Sequence, residues 1–538
     1  MAWNGWGDAA RKPELQPGAR SFLESVIGRF DSLTPSVALG EVRVSPSALS
    51  EGQRSELVSI VGEGYVLTDH DSRVLHAGGK SYPDIARRRL GDAQDAPDAI
   101  VLPGDAEQIA EVLAFAERAQ LAVVTFGGGT SVVGGVEPLK GELSGVMSLD
   151  LRRMDALVAL DVTNQLVRLQ PGLRGPAAEA LLNAEGYTLG HFPQSYEHAS
   201  IGGYAATRSA GQASSGYGRS DEMITGLTMV TPRGRWQLGT GTRNAAGPDL
   251  LSLAIGSEGT LGVISEVTMR VHPVPRTAEY EGWFAASFAD GIEAFRVLEH
   301  AGCAPDVTRL SDVEETETSL LLAGLSDSVR SLLLKYLGMR GVRTPCLAIV
   351  GWLGDPDEVA ARRKRARTVL KAQGLISGGA RFGRGWEHGR YNGPYLRDSL
   401  MDVGVMVETL ETATTWSNLD RVHGEVAAAL KASLNAQGTP AHVMCHVSHL
   451  YPGGASLYFT FLARAVAGDL VAQWRLAKTA ACEAIVRCGA TITHHHAVGT
   501  DHRGHLEPEI GAVGVAVLRA VKRELDPAGI LNPGKLIP

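Results

Sequence analysis

The feature that most constrains this chain is a run of three glycines directly after a short apolar stretch. Residues 125–135 are Thr-Phe-Gly-Gly-Gly-Thr-Ser-Val-Val-Gly-Gly. Adjacent glycines let backbone amides approach a phosphate closely, with φ values that other residues resist. The segment has neither the G-x-G-x-x-G spacing of a Rossmann loop nor the Lys-Ser/Thr end of a P-loop. It therefore predicts either a phosphate cradle of another kind or a mobile surface loop.

The flanking sequence favours the cradle. Residues 99–102 are predicted to form a buried strand, Asp105 a helix N-cap, and residues 121–126 a second buried strand that leads into the glycines. Two further glycine clusters follow, at residues 200–211 and 256–264. Three such clusters in one region indicate a long ligand.

Length, charge and cysteine content exclude several classes of protein. A chain of 538 residues is too long for one core, and its formal charge of -8, without basic runs interleaved with aromatics, makes nucleic acid an unexpected partner. Five cysteines without C-x-x-C spacing argue against a disulfide framework. We see no secretion leader and no apolar run of the ~20 residues that a membrane-spanning helix needs. We expect a cytoplasmic protein that contacts membranes only peripherally.

The residues after Pro275 must supply the substrate site, and a histidine triplet at 494–496 stands out among them. Histidine is the usual acid or base near neutral pH, so the triplet predicts proton transfer, with an ordinary polar loop as the alternative. On an extended backbone, His494 and His496 would share one side while His495 pointed away.

A second histidine-rich stretch contains His442, His446 and His449. Helical spacing would place all three on one face and suggest a metal site. No carboxylate lies within the stretch and no H-E-x-x-H motif is present, while the intervening valines favour a strand. We therefore predict a strand without a bound metal.

Between residues 95 and 275 the chain resembles the vanillyl-alcohol-oxidase, or PCMH-type, flavoproteins, whose motifs occur here in the expected order. The resemblance implies FAD as cofactor. Some members tether the flavin through a His just after the glycines, and Thr130 in that place predicts dissociable FAD. By resemblance, the cofactor-binding residues are Thr125, Phe126, Gly127, Gly128, Gly129, Thr130, Ser131, Gln194, Ser195, Ser200, Gly203, Thr207, Arg208, Ser209, Ala210, Glu258, Gly259, Thr260, Gly262, Val263 and Ile264.

The second half of the chain separates two branches of this superfamily. The D-lactate and 2-hydroxyglutarate dehydrogenase branch binds a divalent metal through His-Val-Gly-Asp-Gly-Asn-x-His and Glu-His-Gly stretches. Of these ligands, only the first His is present here, as His446. Tyr458 stands in place of the second His, and His495 stands in place of the Glu. A neutral phenol and an imidazole leave too few ligands for that metal. We predict no metal.

The same residues resemble the alkyldihydroxyacetone-phosphate synthase family. Its His-His-His-x-Val-Gly, Tyr-x-Arg-Asp and Arg-Leu-x-Asp motifs match residues 494–499, 395–398 and 309–312. The opening Trp-Asn-Gly-Trp-Gly at residues 3–7 also resembles the family, so the likeness covers nearly the whole chain. The Asn-Pro-Gly-Lys at residues 532–535 is closer to the dehydrogenases, and a peroxisomal address is missing. We expect a prokaryotic relative.

This resemblance implies exchange of the acyl group of acyl-dihydroxyacetone phosphate for a long-chain alcohol. A phosphorylated ketose lipid and the alcohol would be the substrates, and a homodimer the expected assembly. Arg397 first and Arg309 second are predicted to bind the phosphate, with a surface ion pair as the alternative for each. The predicted acid and base groups are Tyr458, His494, His495 and His496.

Two other functions stay open from the sequence. The C-terminal motif supports an FAD-dependent oxidoreductase of a 2-hydroxy acid or polyol, and a flavin-binding protein with an inactive site is the third possibility. The predicted fold class is α+β. Its parts are a mostly helical segment at 1–94, a two-subdomain PCMH-type FAD-binding domain at 95–275, an α+β cap at 276–505 and a C-terminal segment at 506–538 that closes on the FAD domain.

Overall fold

The computed structural model describes residues 1–30, 35–239, 242, 244–322 and 326–538. The first 94 residues contain more helix than strand, and Ser50 and Ser81 cap two of the helices by accepting hydrogen bonds from backbone amides. The elements are α1 (Pro17–Ile27), α2 (Glu51–Val61), β1 (Val66–Leu67), α3 (His70–Leu75) and α4 (Tyr82–Arg89).

The first sheet carries the glycine loop at the end of one strand. Its further elements are β2 (Ala99–Val101), α5 (Ala106–Ala119), β3 (Leu121–Phe126) and β4 (Gly145–Asp150). The strand order is β1-β2-β4-β3, with β2, β4 and β3 parallel. Asp105 caps α5 as predicted, and α5 buries the apolar stripe that begins at Ile109. Near the C-terminus, Asn532 donates its backbone N–H to the Val123 carbonyl on β3.

An antiparallel sheet with the order β5-β6-β10-β8-β9 follows, together with a small β7–β11 pair. Its core is formed by apolar residues of the strands and of helices α6 and α7. The elements are β5 (Leu157–Asp161), β6 (Leu166–Leu169), α6 (Gly175–Ala184), β7 (Tyr187–Thr188), α7 (Ile201–Thr207), α8 (Ser214–Tyr217), α9 (Ser220–Met223), β8 (Ile224–Thr231), β9 (Gly234–Leu238), α10 (Leu250–Ala254), β10 (Val263–Arg270) and β11 (His272–Pro273).

The remaining strands form one antiparallel sheet of order β15-β12-β14-β13-β17-β18-β16. Its largest core cluster lies between this sheet and helices that include α11, α14, α17 and α18. The elements are β12 (Thr277–Ala285), α11 (Phe288–His300), β13 (Val307–Ser311), α12 (Val313–Leu322), α13 (Asp327–Met339), β14 (Cys346–Gly354), α14 (Pro356–Ala372), β15 (Ile376–Gly379), α15 (Ala380–Gly389), α16 (Gly393–Asp402), β16 (Val405–Thr415), α17 (Leu419–Ala436), β17 (Ala441–Tyr451), β18 (Gly454–Arg464), α18 (Leu470–Arg487) and α19 (Leu506–Leu525).

The histidine-rich stretch from His442 to His449 lies within strand β17, so the prediction of a strand there is confirmed. The His triplet lies in the irregular connection between α18 and α19, where Val498 donates its backbone N–H to Glu258 in the segment before β10. Within the part of the chain that the structure describes, no helix is both long enough and apolar enough to cross a bilayer.

Candidate active site

The glycines at 127–129 leave β3 and lie against the segment that precedes α7. A Cβ on Gly128 would overlap the backbone carbonyl of His198, and a Cβ on Gly129 would overlap the ring of Phe126. Gly129 also has φ +63°, in the left-handed region that favours glycine. The loop therefore needs glycine for close backbone approach, which is what a phosphate cradle requires.

A single cavity of about 440 Å³ opens over this loop, within the size range of small-molecule sites. Most of the predicted cofactor residues line it: Thr125, Gly127, Gly128, Gly129, Thr130, Ser131, Gln194, Ser195, Ser200, Gly203, Thr207, Ser209, Ala210, Glu258, Gly259, Gly262 and Ile264. Thr125 Oγ1, on a residue that lines the cavity, is a buried oxygen without a partner among the described residues. An unpaired buried oxygen of this kind fits a polar ligand.

Four predicted cofactor residues lie outside the cavity lining: Phe126, Arg208, Thr260 and Val263. The Phe126 ring packs on His76, and the Arg208 guanidinium turns away to carbonyl oxygens and to Asp221. Thr260 and Val263 are buried in the surrounding core. These four side chains point away from the cavity, because a contiguous motif includes residues that face the cavity and residues that face the core, and their assignment to the cofactor stays a prediction.

Strands β16, β17 and β18 also contribute residues to the lining of the cavity. Tyr458 on β18 pairs in register with His446 on β17, and the two rings stack with centroids 4.9 Å apart. The Tyr458 ring also meets His496 edge-on at 5.5 Å. Burial raises the pKa of Tyr458 to about 12, so its phenol is neutral at physiological pH. The structure thus brings Tyr458, His446 and His496 together in the lining of the cavity.

Arg309 reaches the cavity from β13 and is held by a carboxylate that no sequence motif indicated. Its guanidinium pairs with Glu315 of α12, and Glu315 Oε2 also lies 3.0 Å from His446 Nδ1. Burial opposes ionisation of Glu315, but Arg309 and His446 together lower the pKa of that carboxyl. Glu315 therefore orients both the cation and the imidazole.

Arg397 lies on α16 at the same cavity. Its Nη1 donates to the Lys80 carbonyl at 2.8 Å, and its Nη2 lies 3.4 Å from the Asp398 carboxylate. Its Nε has no partner among the described residues. The arginine is largely buried, so the alternative of a surface ion pair does not describe it.

The N-terminal segment closes the Arg397 side of the cavity. Trp6 lines the cavity, and its backbone N–H donates to Asp398 Oδ2 at 2.5 Å. Gly5 is needed there, because a Cβ would overlap the same carboxylate. Lys80 Nζ donates to the Ala2 carbonyl at 2.5 Å. These contacts join residues far apart in the chain, so local sequence does not predict them.

The His triplet does not form an extended strand. A buried carboxylate, Glu411 of β16, accepts the backbone N–H groups of His494 at 2.5 Å, His495 at 3.0 Å and His496 at 2.8 Å. The backbone therefore curls around Glu411, and both His495 and His496 line the cavity while His494 is buried behind them. The expected alternation of neighbouring rings is wrong for this reason.

A second buried carboxylate holds the continuation of the same segment. Glu258 accepts the backbone N–H groups of Val498 at 2.8 Å and Gly499 at 2.7 Å. Between the two carboxylates, Ala497 has φ +74°, which reverses the chain. Burial raises the pKa of Glu258 to about 7, although the two amides oppose this. The triplet is thus fixed from both sides.

Among the described residues, one group of side chains has the spacing of metal ligands: Glu411, His494 and His495, with ligand atoms within 4.8 Å of one another. Glu411 already accepts three amides and the Thr493 hydroxyl. With its oxygens occupied in this way, we assign no ion here, and a metal-free site stays a prediction.

Comparison with known proteins agrees with this geometry. Alkyldihydroxyacetonephosphate synthase of Dictyostelium discoideum is 32% identical over 100% of this chain and 93% of its own length. The chain belongs to the alkyldihydroxyacetonephosphate synthase family. The Trypanosoma brucei brucei enzyme is 29% identical over 100% of this chain and 92% of its own. A solved structure of a family member matches with a TM-score of 0.85 and 30% identity, covering 100% of this chain and 99% of the other.

Two domain profiles agree with the family assignment and identify FAD as the cofactor. The profile described as "FAD binding domain" matches residues 97–238, and "FAD linked oxidases, C-terminal domain" matches residues 274–536. The glycine cradle and the unpaired oxygen of Thr125 fit such a ligand. The fold is the predicted PCMH-type arrangement of α and β elements.

Proposed function

We propose that this chain is an FAD-dependent alkyldihydroxyacetonephosphate synthase, which exchanges the acyl group of acyl-dihydroxyacetone phosphate for a long-chain alcohol. The observation that carries the proposal is one cavity that is lined both by the glycine cradle and by Arg397, Arg309, Tyr458 and two imidazoles. The cofactor and the polar groups of the substrate would therefore share one site.

The glycine loop would hold the FAD pyrophosphate, with Gln194 to Ser200 and Glu258 to Ile264 closing around the rest of the dinucleotide. When bound, FAD supplies a ring system that can take up an electron pair. Thr130 in the tethering position supports a dissociable cofactor, so acid precipitation should leave the flavin in the supernatant.

Arg397 is the first candidate for the substrate phosphate. Its Nε is unpaired, and a planar guanidinium suits two phosphate oxygens. Arg309 forms a closer ion pair with Glu315 than Arg397 does with Asp398, so more of the charge of Arg309 is already compensated. We assign Arg397 to the phosphate dianion and Arg309 to a second oxygen of the headgroup.

Proton transfer falls to Tyr458 and to the two imidazoles that reach the cavity. Burial keeps Tyr458 protonated, so it is suited to donate a hydrogen bond or a proton. Burial also lowers the pKa of His495 to about 3, which leaves a neutral ring that can accept the proton of the entering alcohol. The two groups have opposite roles because the same burial favours the neutral form of each.

We further propose that helix α13 rests on a membrane surface, where both lipid substrates are found. Its apolar side chains at Val329, Leu332 and Met339 are exposed, and Lys335 and Arg340 are exposed beside them. An exposed apolar face with flanking cations is typical of a helix that lies on an anionic bilayer. Helix α13 also packs, through Leu337, in the cluster that contains the cavity residue Trp386.

The direct test is to incubate the FAD-loaded protein with palmitoyl-dihydroxyacetone phosphate and hexadecanol, and to measure the ether product by mass spectrometry. The expected result is ether formation with equimolar palmitate, absent when hexadecanol is left out. Flavin reduction by a 2-hydroxy acid or polyol under anaerobic conditions, without ether, would instead support an oxidoreductase.

A further inference from the structure

Three side chains form a hydrogen-bonded row behind the cavity wall. Tyr451 Oη lies 2.6 Å from His494 Nε2, and His494 Nδ1 lies 2.9 Å from His495 Nδ1. His495 lines the cavity, whereas Tyr451 is the last residue of β17 and is partly exposed. The row therefore leads from the cavity toward the surface.

We propose that Tyr451, His494 and His495 form a proton relay between the cavity and the protein surface, with Tyr451 as its outer member. The proposal rests on the proposed function. Tyr451 acts through the two imidazoles and is a relay residue that does not touch substrate.

The atoms of the row allow two arrangements that differ by one transferred proton. In the first, His495 Nδ1–H donates to His494 Nδ1, and His494 Nε2–H donates to Tyr451 Oη, so His495 Nε2 is free to accept a proton. When that proton arrives, each donor passes its own proton one step outward, and Tyr451 releases its original hydroxyl proton. The second arrangement has every donor and acceptor reversed, and it returns a proton to the cavity by the opposite sequence.

The relay needs neutral imidazoles, since each ring must have one donor and one acceptor nitrogen. Burial lowers the pKa values of His494 and His495, which keeps both rings neutral. A third imidazole nearby, His449, is fixed separately, because its Nε2 lies 2.9 Å from the Gly211 carbonyl. Among the residues that the structure describes, His449 therefore adds no branch to the row at His494.

The outer end has a charged neighbour that suits proton release. Arg219 lies beside Tyr451, donates to the His494 carbonyl at 3.1 Å and forms two 2.9 Å hydrogen bonds to Asp221. A fixed cation lowers the cost of negative charge that develops on the phenol during transfer. Asp221 and the exposed Glu222 place the exit next to solvent.

The proposed exchange requires such an exit. The phosphate charge is the same in substrate and product, and the reacting ester group and hydroxyl are neutral. They become an ether and a carboxylic acid, and an acid with a pKa of ~4 ionises at neutral pH. One proton per turnover must therefore leave the buried site. Without a relay, it would have to leave through the cavity mouth, where the lipid chains enter.

The test compares Tyr451→Phe with Tyr217→Phe in the FAD-loaded enzyme. Tyr217 packs against His272 and lies outside the row, so it controls for loss of a phenol oxygen. We expect Tyr451→Phe to lower kcat roughly tenfold at unchanged KM, to change the solvent deuterium isotope effect on kcat, and to recover turnover when imidazole is added. Tyr217→Phe should match wild type in all three.

A second readout does not depend on activity. In ¹⁵N-histidine spectra of the holoenzyme, Tyr451→Phe should shift the ring nitrogens of His495, two hydrogen bonds away, while Tyr217→Phe should not. Unchanged His495 signals, or wild-type kcat and isotope effect in Tyr451→Phe, would overturn the relay. If wild type makes no ether but the His495 signals do shift, the row stands and the proposed function fails.

Discussion

The two arginines of the cavity differ in how closely a carboxylate pairs with each of them. Arg309 forms a close ion pair with Glu315, whereas Arg397 lies 3.4 Å from Asp398, has an unpaired Nε and reaches the cavity beside Trp6. This difference leaves more uncompensated charge on Arg397 for a phosphate dianion. It comes from tertiary contacts and was not visible in the Tyr-x-Arg-Asp and Arg-Leu-x-Asp motifs.

Arg397→Lys should keep the charge but lose the planar pair of donors. Loss of one charged hydrogen bond costs about 1.5–3 kcal/mol, so we expect kcat/KM to fall roughly 10- to 100-fold, with FAD content unchanged. The value of kcat/KM is measured from steady-state rates of ether formation. Arg235→Lys is the matched control, since Arg235 pairs with Glu107 at an exposed position. If Arg397→Lys and wild type have equal kinetics, Arg397 does not bind the phosphate, and Arg309 becomes the candidate.

Tyr458→Phe removes one oxygen and leaves the stack on His446 in place. If the phenol takes part in proton transfer, turnover should fall by ~10²-fold while FAD binding survives. Tyr187→Phe, in the small β7–β11 pair, controls for the chemical change. Activity that is lost on chelation and restored by Zn²⁺, together with a tolerant Tyr458, would contradict the metal-free proposal.

Glu258 gives the site a pH-dependent contribution to stability. Its pKa is raised from 4.5 to about 7, so the folded state holds the proton more tightly than the unfolded state. The stabilisation is full below pH 4.5 and is lost as the pH rises through 7, a change of about 3 kcal/mol. We expect the melting temperature of wild type to fall relative to Glu258→Gln between pH 5 and 8. Parallel curves would show that Glu258 does not titrate in this range.

Among the elements, the glycine loop is the one whose role the sequence indicated most completely. Gly128→Ala should abolish FAD binding, because the added Cβ overlaps the His198 carbonyl, which is backbone and cannot move aside. The ratio of flavin to protein absorbance measures this. Gly424→Ala, in helix α17 with open space around it, should retain FAD. A Gly128→Ala protein with full FAD content would place the pyrophosphate elsewhere.

The elements were predictable where local sequence determines them. The strand before the glycines, the Asp105 cap and the strand at His442 to His449 all follow from local patterns. The shape of the His triplet does not, since it depends on Glu411, about 80 residues earlier in the chain. One signal was present: a carboxylate inside the apolar strand β16 must find donors when buried.

At the scale of the whole molecule, the exposed helix α13 predicts association with lipid surfaces. Leu332→Glu and Met339→Glu replace side chains that are 68% and 79% exposed, so the fold should tolerate them. We expect roughly tenfold weaker co-sedimentation with vesicles of phosphatidylcholine and phosphatidylglycerol. Val513→Glu on α19, also 79% exposed, is the control. Equal vesicle binding by all three variants and wild type would show that α13 does not contact the membrane.

The two carboxylates that hold the segment of the His triplet belong to different parts of the fold. Glu411 belongs to the seven-stranded sheet, and Glu258 lies beside the five-stranded sheet of the cofactor domain. The histidines can take their final arrangement only after the ribosome has completed both sheets and these have docked. A nascent or half-folded chain therefore has no organised acid–base group. Catalytic activity arises only once both sheets have folded and docked.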